Sequence, residues 1–122
     1  MVALLIDSDE RGEAIADRLA GSRLHAPAHL PIEVTSALRR LRFAGELADT
    51  EAVLALRGFW SLAIELWPQE SISDRTWELG ENLTPYDAAY VAVAERIGGA
   101  LLTADVRMSR APGIRCPVEV FA

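Results

Sequence analysis

Apolar residues along the chain fall into short blocks separated by polar or glycine- and proline-containing turns, and the period of each block predicts its element. Val2 to Ile6 is an apolar run whose periodicity fits strand or helix equally. Asp9 to Ala20 reads as a helix with Ile15, Ala16 and Leu19 on one face and Gly21 as its stop. Leu24 to Ala26 predicts a very short strand ended by Pro27. A helix is expected from Ala28 to Ala44, with Pro31 near its start, Gly45 closing it, and Leu30, Val34, Ala37, Leu38 and Leu41 as its apolar stripe. Another helix is expected from Asp49 to Leu62, a strand from Ala63 to Trp67, and a helix from Ser73 to Glu81. Thr84-Pro85-Tyr86-Asp87 predicts a capped helix start, with a Thr cap, Pro at the first helical position and an acid at the third. That helix runs to Ile97, before Gly98-Gly99. Ala100 to Ala104 and Val118 to Phe121 read as the last two strands.

Short strands alternate with helices and no hairpin signal intervenes, so the economical architecture is a parallel sheet covered by helices. The chain has 122 residues, 51% hydrophobic and 25% charged, which suits one domain with a real core and argues against disorder. Its longest apolar run is about six residues, far below the roughly 20 needed to span a bilayer. With no secretory signal pattern, a cytoplasmic location without membrane attachment is expected. Cys116 is the only cysteine, which excludes an intramolecular disulfide and a cysteine-based zinc site.

Charge narrows the chemistry further. The net charge of −6 argues against nucleic-acid binding by bulk attraction. All 12 basic residues are arginine, which removes Schiff-base chemistry, a Walker lysine and a lysine general base. Carboxylates remain as the candidates. Asp105 follows the apolar strand, at the sheet edge where α/β proteins collect their ligands. Asp87 lies in the first turn of the preceding helix, where Tyr90, Val91 and Ala94 share its face at 100° per residue, so it emerges beside the packed side. Glu33 lies on the margin of its helix's apolar stripe. Taken singly, each has a plain account: Asp87 as a capping acid favoured by the helix dipole, Asp105 as a turn residue, Glu33 as a boundary polar residue. Their order along the chain is more specific than any one of them.

Leu30-Pro31-Ile32-Glu33-Val34, then Leu83-Thr84-Pro85-Tyr86-Asp87-Ala88-Ala89-Tyr90, then Leu101-Leu102-Thr103-Ala104-Asp105 resemble the PIN-domain ribonucleases, and more narrowly the VapC-type toxins of bacterial toxin–antitoxin pairs. Pro117-Val118-Glu119-Val120 is similar to the family's last strand, so the resemblance spans nearly the whole chain. It implies a PIN-like three-layer α/β/α sandwich around a short parallel sheet, and metal-dependent cleavage of RNA phosphodiesters. Glu33, Asp87 and Asp105 match three of the family's four acidic metal-site positions, and Thr103 matches a hydroxyl position beside them. Mg²⁺ or Mn²⁺ suits such a site, because a hard divalent ion offsets the repulsion among carboxylates. The resemblance also implies a cognate VapB-like antitoxin as partner and a homodimeric assembly.

Other residues carry less. Arg107 and Arg110, just past Asp105, are candidates for the RNA backbone, with an exposed charged loop as the plain alternative. His25 and His29 have the spacing of a zinc pair, but Pro27 between them and Pro31 beyond favour two unrelated histidines. Arg39, Arg40 and Arg42 read as a solvated helix face. Trp60, Trp67, Trp77, Tyr86 and Tyr90 are expected in the core or at a subunit interface rather than as base-stacking platforms. A PIN-like remnant that binds antitoxin without cutting is the second functional reading. A phospho-receiver is a distant third, since receivers need a lysine beside the phosphorylated Asp. Finally, the family begins with a buried strand ending in its first acidic residue, whereas Met1 to Asp7 resembles the helix that follows. The expectation is a single domain over 1–122 whose central strand and first acid are missing, through a misplaced start or trimming.

Overall fold

The computed structural model describes residues 18–121, so the apolar run at Val2 to Ile6 and most of the helix expected from Asp9 lie outside the described residues. The described end of that helix, Arg18 and Leu19, is helical, and Gly21 follows with a φ of 75°. Two compact units divide the described residues, one holding 18–24 and 29–64 and the other 25–28 and 65–121, each with its own packing.

The first unit is a helix pair. α1 spans Leu30–Phe43 and buries Leu30, Val34 and Leu38, three of the five stripe residues, at the four-residue spacing of one helix face. Ala37 and Leu41 are half-buried at the stripe's margin. α1 begins two residues later than its pattern suggests, because the Ala28 N–H donates to the Trp67 carbonyl at 2.8 Å and Ala28-His29 form a turn after the strand. Pro31 sits in the first turn, where its missing N–H costs nothing. α2, Asp49–Ser61, packs on α1 and buries Ala55 and Phe59. Glu51 accepts the Ala48 N–H at 2.9 Å, satisfying one open donor at the start of α2. Across the intervening turn Arg42 pairs with Asp49 at 2.9 Å, and Arg39 and Arg40 are exposed as expected.

The second unit carries the strands. β1 (Leu24–Pro27) and β2 (Ile64–Trp67) form one two-stranded sheet, each strand's first residue falling in the first unit. β3 (Leu101–Thr103) and β4 (Val118–Val120) form a second, parallel one, in register Leu101 with Val118 and Thr103 with Val120. Among the described residues the strands thus make two short sheets rather than one. The α/β class and the parallel pairing match the expected fold.

α4, Pro85–Ile97, is the organising element of this unit, with the boundaries its sequence predicts. Ala88, Val91 and Ala94 pack with Leu79, Leu101 and Met108, while Ala89, Ala92 and Val93 pack with Ile72. Burial on two faces explains the run of small residues: alanines let neighbouring backbones approach where a single apolar stripe would not suffice. At its end Gly98 adopts a φ of 67°; the Gly99 N–H reaches the Ala94 carbonyl at 3.0 Å and the Gly98 N–H the Glu95 carbonyl at 3.3 Å. This closure satisfies two open carbonyls and favours glycine at the left-handed position. α3 is shorter than expected, Ser73–Glu78 rather than to Glu81, because the chain turns at Leu79-Gly80. Two short 3₁₀ segments, Gln69–Ser71 and Val106–Arg110, had no sequence signal.

Candidate active site

α4 starts as its sequence demands. The Thr84 hydroxyl accepts the Asp87 N–H at 3.2 Å, so Asp87 occupies the third helical position with its carboxylate at the positive end of the helix. Directly beneath its face lie Val91, Ala94, Leu101 and Met108, which fixes the height at which the half-buried Asp87 emerges.

Asp105 is placed by the end of β3. Thr103 Oγ1 accepts the Asp105 N–H at 3.1 Å, which takes that amide out of the ladder and ends the strand at Thr103 rather than Ala104. The Asp105 side chain then accepts the backbone N–H of Arg107 at 2.9 Å and caps the 3₁₀ turn Val106–Arg110. Met108, the buried residue of that turn, pins it to the core under α4.

These two constructions meet in one cleft of about 370 Å³, lined by Asn82, Leu83, Thr84, Asp87, Asp105, Arg107, Met108, Arg110 and Ala111. Both candidate aspartates and both candidate arginines therefore share a cavity. Thr103 acts on it through the Asp105 backbone. Glu33 belongs to the first unit, on the first half of α1, where it is partly exposed at the stripe's margin and its Oε1 lies 3.3 Å from His29 Nε2.

Arg107 dominates the electrostatics. Its Nε donates to Asp105 Oδ1 at 3.1 Å and its Nη2 to Asp105 Oδ2 at 2.8 Å, so both carboxylate oxygens are engaged. These side-chain bonds, with the Arg107 backbone N–H, hold the Asp105 carboxyl below its ordinary range. The guanidinium is raised in turn, first by the same hydrogen bonds and charge of Asp105 and further by the charge of Asp87. Asp87 and Asp105 thus offer hard oxygen donors to a cleft in which a cation already sits on one and feels the other. That donor set fits Mg²⁺ or Mn²⁺, which is held by one or two carboxylates and completes its shell with water and phosphate oxygens. Among the described residues no three His, Cys, Asp or Glu side chains converge on one ion-sized site.

His25 lies on β1, and His29 is the residue before α1, where its side chain makes no capping bond. Trp67 Nε1 donates to His25 Nδ1 at 3.1 Å, so that nitrogen's lone pair is taken and the Glu65 carboxylate 3.5 Å away receives no proton from it. The five aromatic residues expected in the core or at a subunit interface divide into two groups. Trp60, Trp77 and Tyr86 are exposed, Trp77 at 86%, whereas Trp67 and Tyr90 pack against the core clusters. The sequence reading also gave Thr84 only a capping role and no place to Met108, both of which line the cleft.

Residues 1–114 match the PIN domain family model. The chain is 36% identical over 111 residues to ribonuclease VapC12 of Mycobacterium tuberculosis, covering 91% of this chain and 86% of that relative. It is 38% identical over 120 residues to ribonuclease VapC9 of the same organism, covering 98% and 91%, and 38% identical over 111 residues to ribonuclease VapC3, covering 91% and 81%. No helix among the described residues is long and apolar enough to cross a membrane. With the Thr84–Asp87 helix start, the Asp105 strand end and the match over most of its length, the chain belongs to the PIN-domain family.

Proposed function

We propose that this protein is the toxin of a type II toxin–antitoxin pair, a metal-dependent endoribonuclease that hydrolyses RNA phosphodiester bonds. The observation that carries the reading is the shared cleft of Asp87 and Asp105 with Arg107 and Arg110. The ribonuclease names of relatives at 36–38% identity support the same reaction class. Asp87 and Asp105 would hold Mg²⁺ or Mn²⁺, and a third acid, Glu33, is assigned to the same site by the family resemblance alone. When bound, the ion supplies Lewis-acid polarisation of the scissile phosphate and a hydroxide at neutral pH.

The chain's own residues do the rest. Thr84 and Thr103 accept the amides of Asp87 and Asp105, which fixes the backbone from which the two carboxylates project. Arg107 and Arg110 present guanidinium forks suited to phosphate oxygens, supplying locally the positive charge that a chain of net −6 lacks overall. Met108 and Leu83 form an apolar floor that limits water on one side of the cleft.

A VapB-like antitoxin, a homodimeric state and a cytoplasmic setting complete the proposal; the VapC names of the relatives support the first. The alternative, a module that binds antitoxin without cutting, is separated by one experiment. Purified protein incubated with single-stranded RNA and Mn²⁺ or Mg²⁺ yields fragments that EDTA prevents. Antitoxin binding with intact RNA under every metal condition supports the alternative.

A further inference from the structure

We infer that Arg107 is a resident counter-ion of Asp105 that a divalent cation displaces, and that the displaced guanidinium then holds the RNA phosphate. This rests on the ribonuclease reading above and assigns Arg107 a role within that site.

Arg107 engages both oxygens of Asp105, through Nε at 3.1 Å and Nη2 at 2.8 Å. A cation ligated by that carboxylate needs at least one of the same oxygens, so guanidinium and metal compete for it. The exchange requires little disruption. The Arg107 side chain is 85% exposed and the Asp105 side chain 35%, so the guanidinium leaves without unpacking anything. Asp105 does not lose its orientation when it leaves. Its Oδ1 still accepts the Arg107 backbone N–H at 2.9 Å, and its own N–H remains on Thr103 Oγ1. The backbone contact and the side-chain contact come from one residue but are separable, and only the second is contested.

The charge balance gives the exchange a consequence. Asp87, Asp105, Arg107 and Arg110 line one cleft and their charges cancel, so without a cation the cleft offers a phosphodiester no net attraction. Adding a divalent ion makes the same group net positive by two. The freed guanidinium then lies within one side-chain length of the carboxylate it left, with a planar fork matched to two phosphate oxygens. Metal binding thereby makes the cleft competent for RNA, and in its absence Arg107 keeps the carboxylate neutralised.

The test compares the wild-type chain with Arg107→Gln and Arg107→Lys. In calorimetric titrations with Mn²⁺ alone, removing the competitor tightens binding by about three- to fivefold in Arg107→Gln, the range of an exposed ion pair. Arg107→Lys, which keeps the charge but not the fork, falls between. In EDTA, the wild type and Arg107→Gln bind a single-stranded RNA oligonucleotide within about twofold of each other, because Arg107 is already occupied. In Mn²⁺, with anisotropy read before cleavage, Arg107→Gln binds about tenfold more weakly than wild type. The slope of log affinity against log salt falls by about 0.7, one phosphate contact on a single strand. Unchanged or weaker Mn²⁺ binding in Arg107→Gln overturns the inference, as does an equal loss of RNA affinity with and without Mn²⁺. If the wild type cuts RNA and binds Mn²⁺ while Arg107→Gln changes neither titration, only this inference fails. If the wild type binds no Mn²⁺ and cuts no RNA, the ribonuclease reading fails with it.

Discussion

Arg75 donates from Nε to Glu95 Oε1 at 2.7 Å and from Nη2 to Glu95 Oε2 at 3.2 Å, tying α3 to α4 by a two-point ion pair between largely buried side chains. Nη2 also reaches the Gly113 carbonyl at 2.6 Å, and Glu95 Oε2 accepts the Arg115 N–H at 2.8 Å. The pair therefore anchors the loop that leads from the 3₁₀ turn beside Asp105 to β4. Burial pushes the Glu95 carboxyl up, but the Arg75 hydrogen bonds and the Arg115 N–H outweigh it and hold it below its ordinary value of 4.5.

The sign of the pH dependence follows. A carboxyl depressed in the folded state contributes its full stabilisation above its unfolded value near 4.5 and loses it as pH falls through the folded value. Glu95→Gln should cost about 1.5–3 kcal/mol near neutrality. Its acid unfolding limb below pH 4.5 should be shallower than the wild type's, measured by urea denaturation across pH. Parallel limbs would show that Glu95 does not contribute to acid sensitivity.

Thr84→Ala should destabilise the protein by about 1 kcal/mol through loss of the cap on the Asp87 N–H, with Thr84→Ser restoring most of it. Gly98→Ala should cost a similar amount, because φ there is 67° and a β-carbon is strained in that region. Midpoints in chemical denaturation check both.

The Cys116 thiol is pushed up first by burial and then by the charge of Glu95. It packs against the core beside Leu101 and Val118. Thiol-reactive reagents at pH 7.5 should label it far more slowly than a free cysteine, with reactivity rising only above pH 9. Rapid labelling of the native protein would place the thiol outside that packing.

Metal binding should stabilise the fold. An ion that binds only the folded cleft adds about 2.7 kcal/mol at a hundredfold excess over its Kd. A rising melting temperature across a millimolar Mn²⁺ titration, lost in Asp87→Asn, is the expected outcome.

Much of the second unit was legible because its signals are local. Thr84, Pro85 and Asp87 specify a helix start, Gly98 its end, and both fall where the sequence placed them. Asp105 after an apolar strand was equally readable, although the strand ends earlier because Thr103 captures the Asp105 amide. The features that escaped depend on contacts far apart in sequence or on side-chain choice. Trp67 bonding His25 spans 42 residues, Arg75 bonding Glu95 spans 20, and no periodicity encodes either. Trp77 is exposed although it lies within α3, against the usual burial of tryptophan, and no local pattern announces it. Arg107 folding back on Asp105 requires the 3₁₀ turn, which composition alone does not announce.

The central claim is that Asp87 and Asp105 perform the chemistry of their shared cleft, and single-turnover cleavage of RNA in Mn²⁺ tests it most directly. Asp87→Asn and Asp105→Asn should each cut at least about 100-fold more slowly than wild type, since each removes a carboxylate from the ion's donor set. Their metal-free melting temperatures should stay within a few degrees, because Asp105→Asn weakens only an exposed ion pair and Asp87→Asn only a helix-terminal charge interaction. Undiminished cleavage by either variant, above all Asp87→Asn with a lowered melting temperature, would contradict the account and leave that aspartate a capping residue.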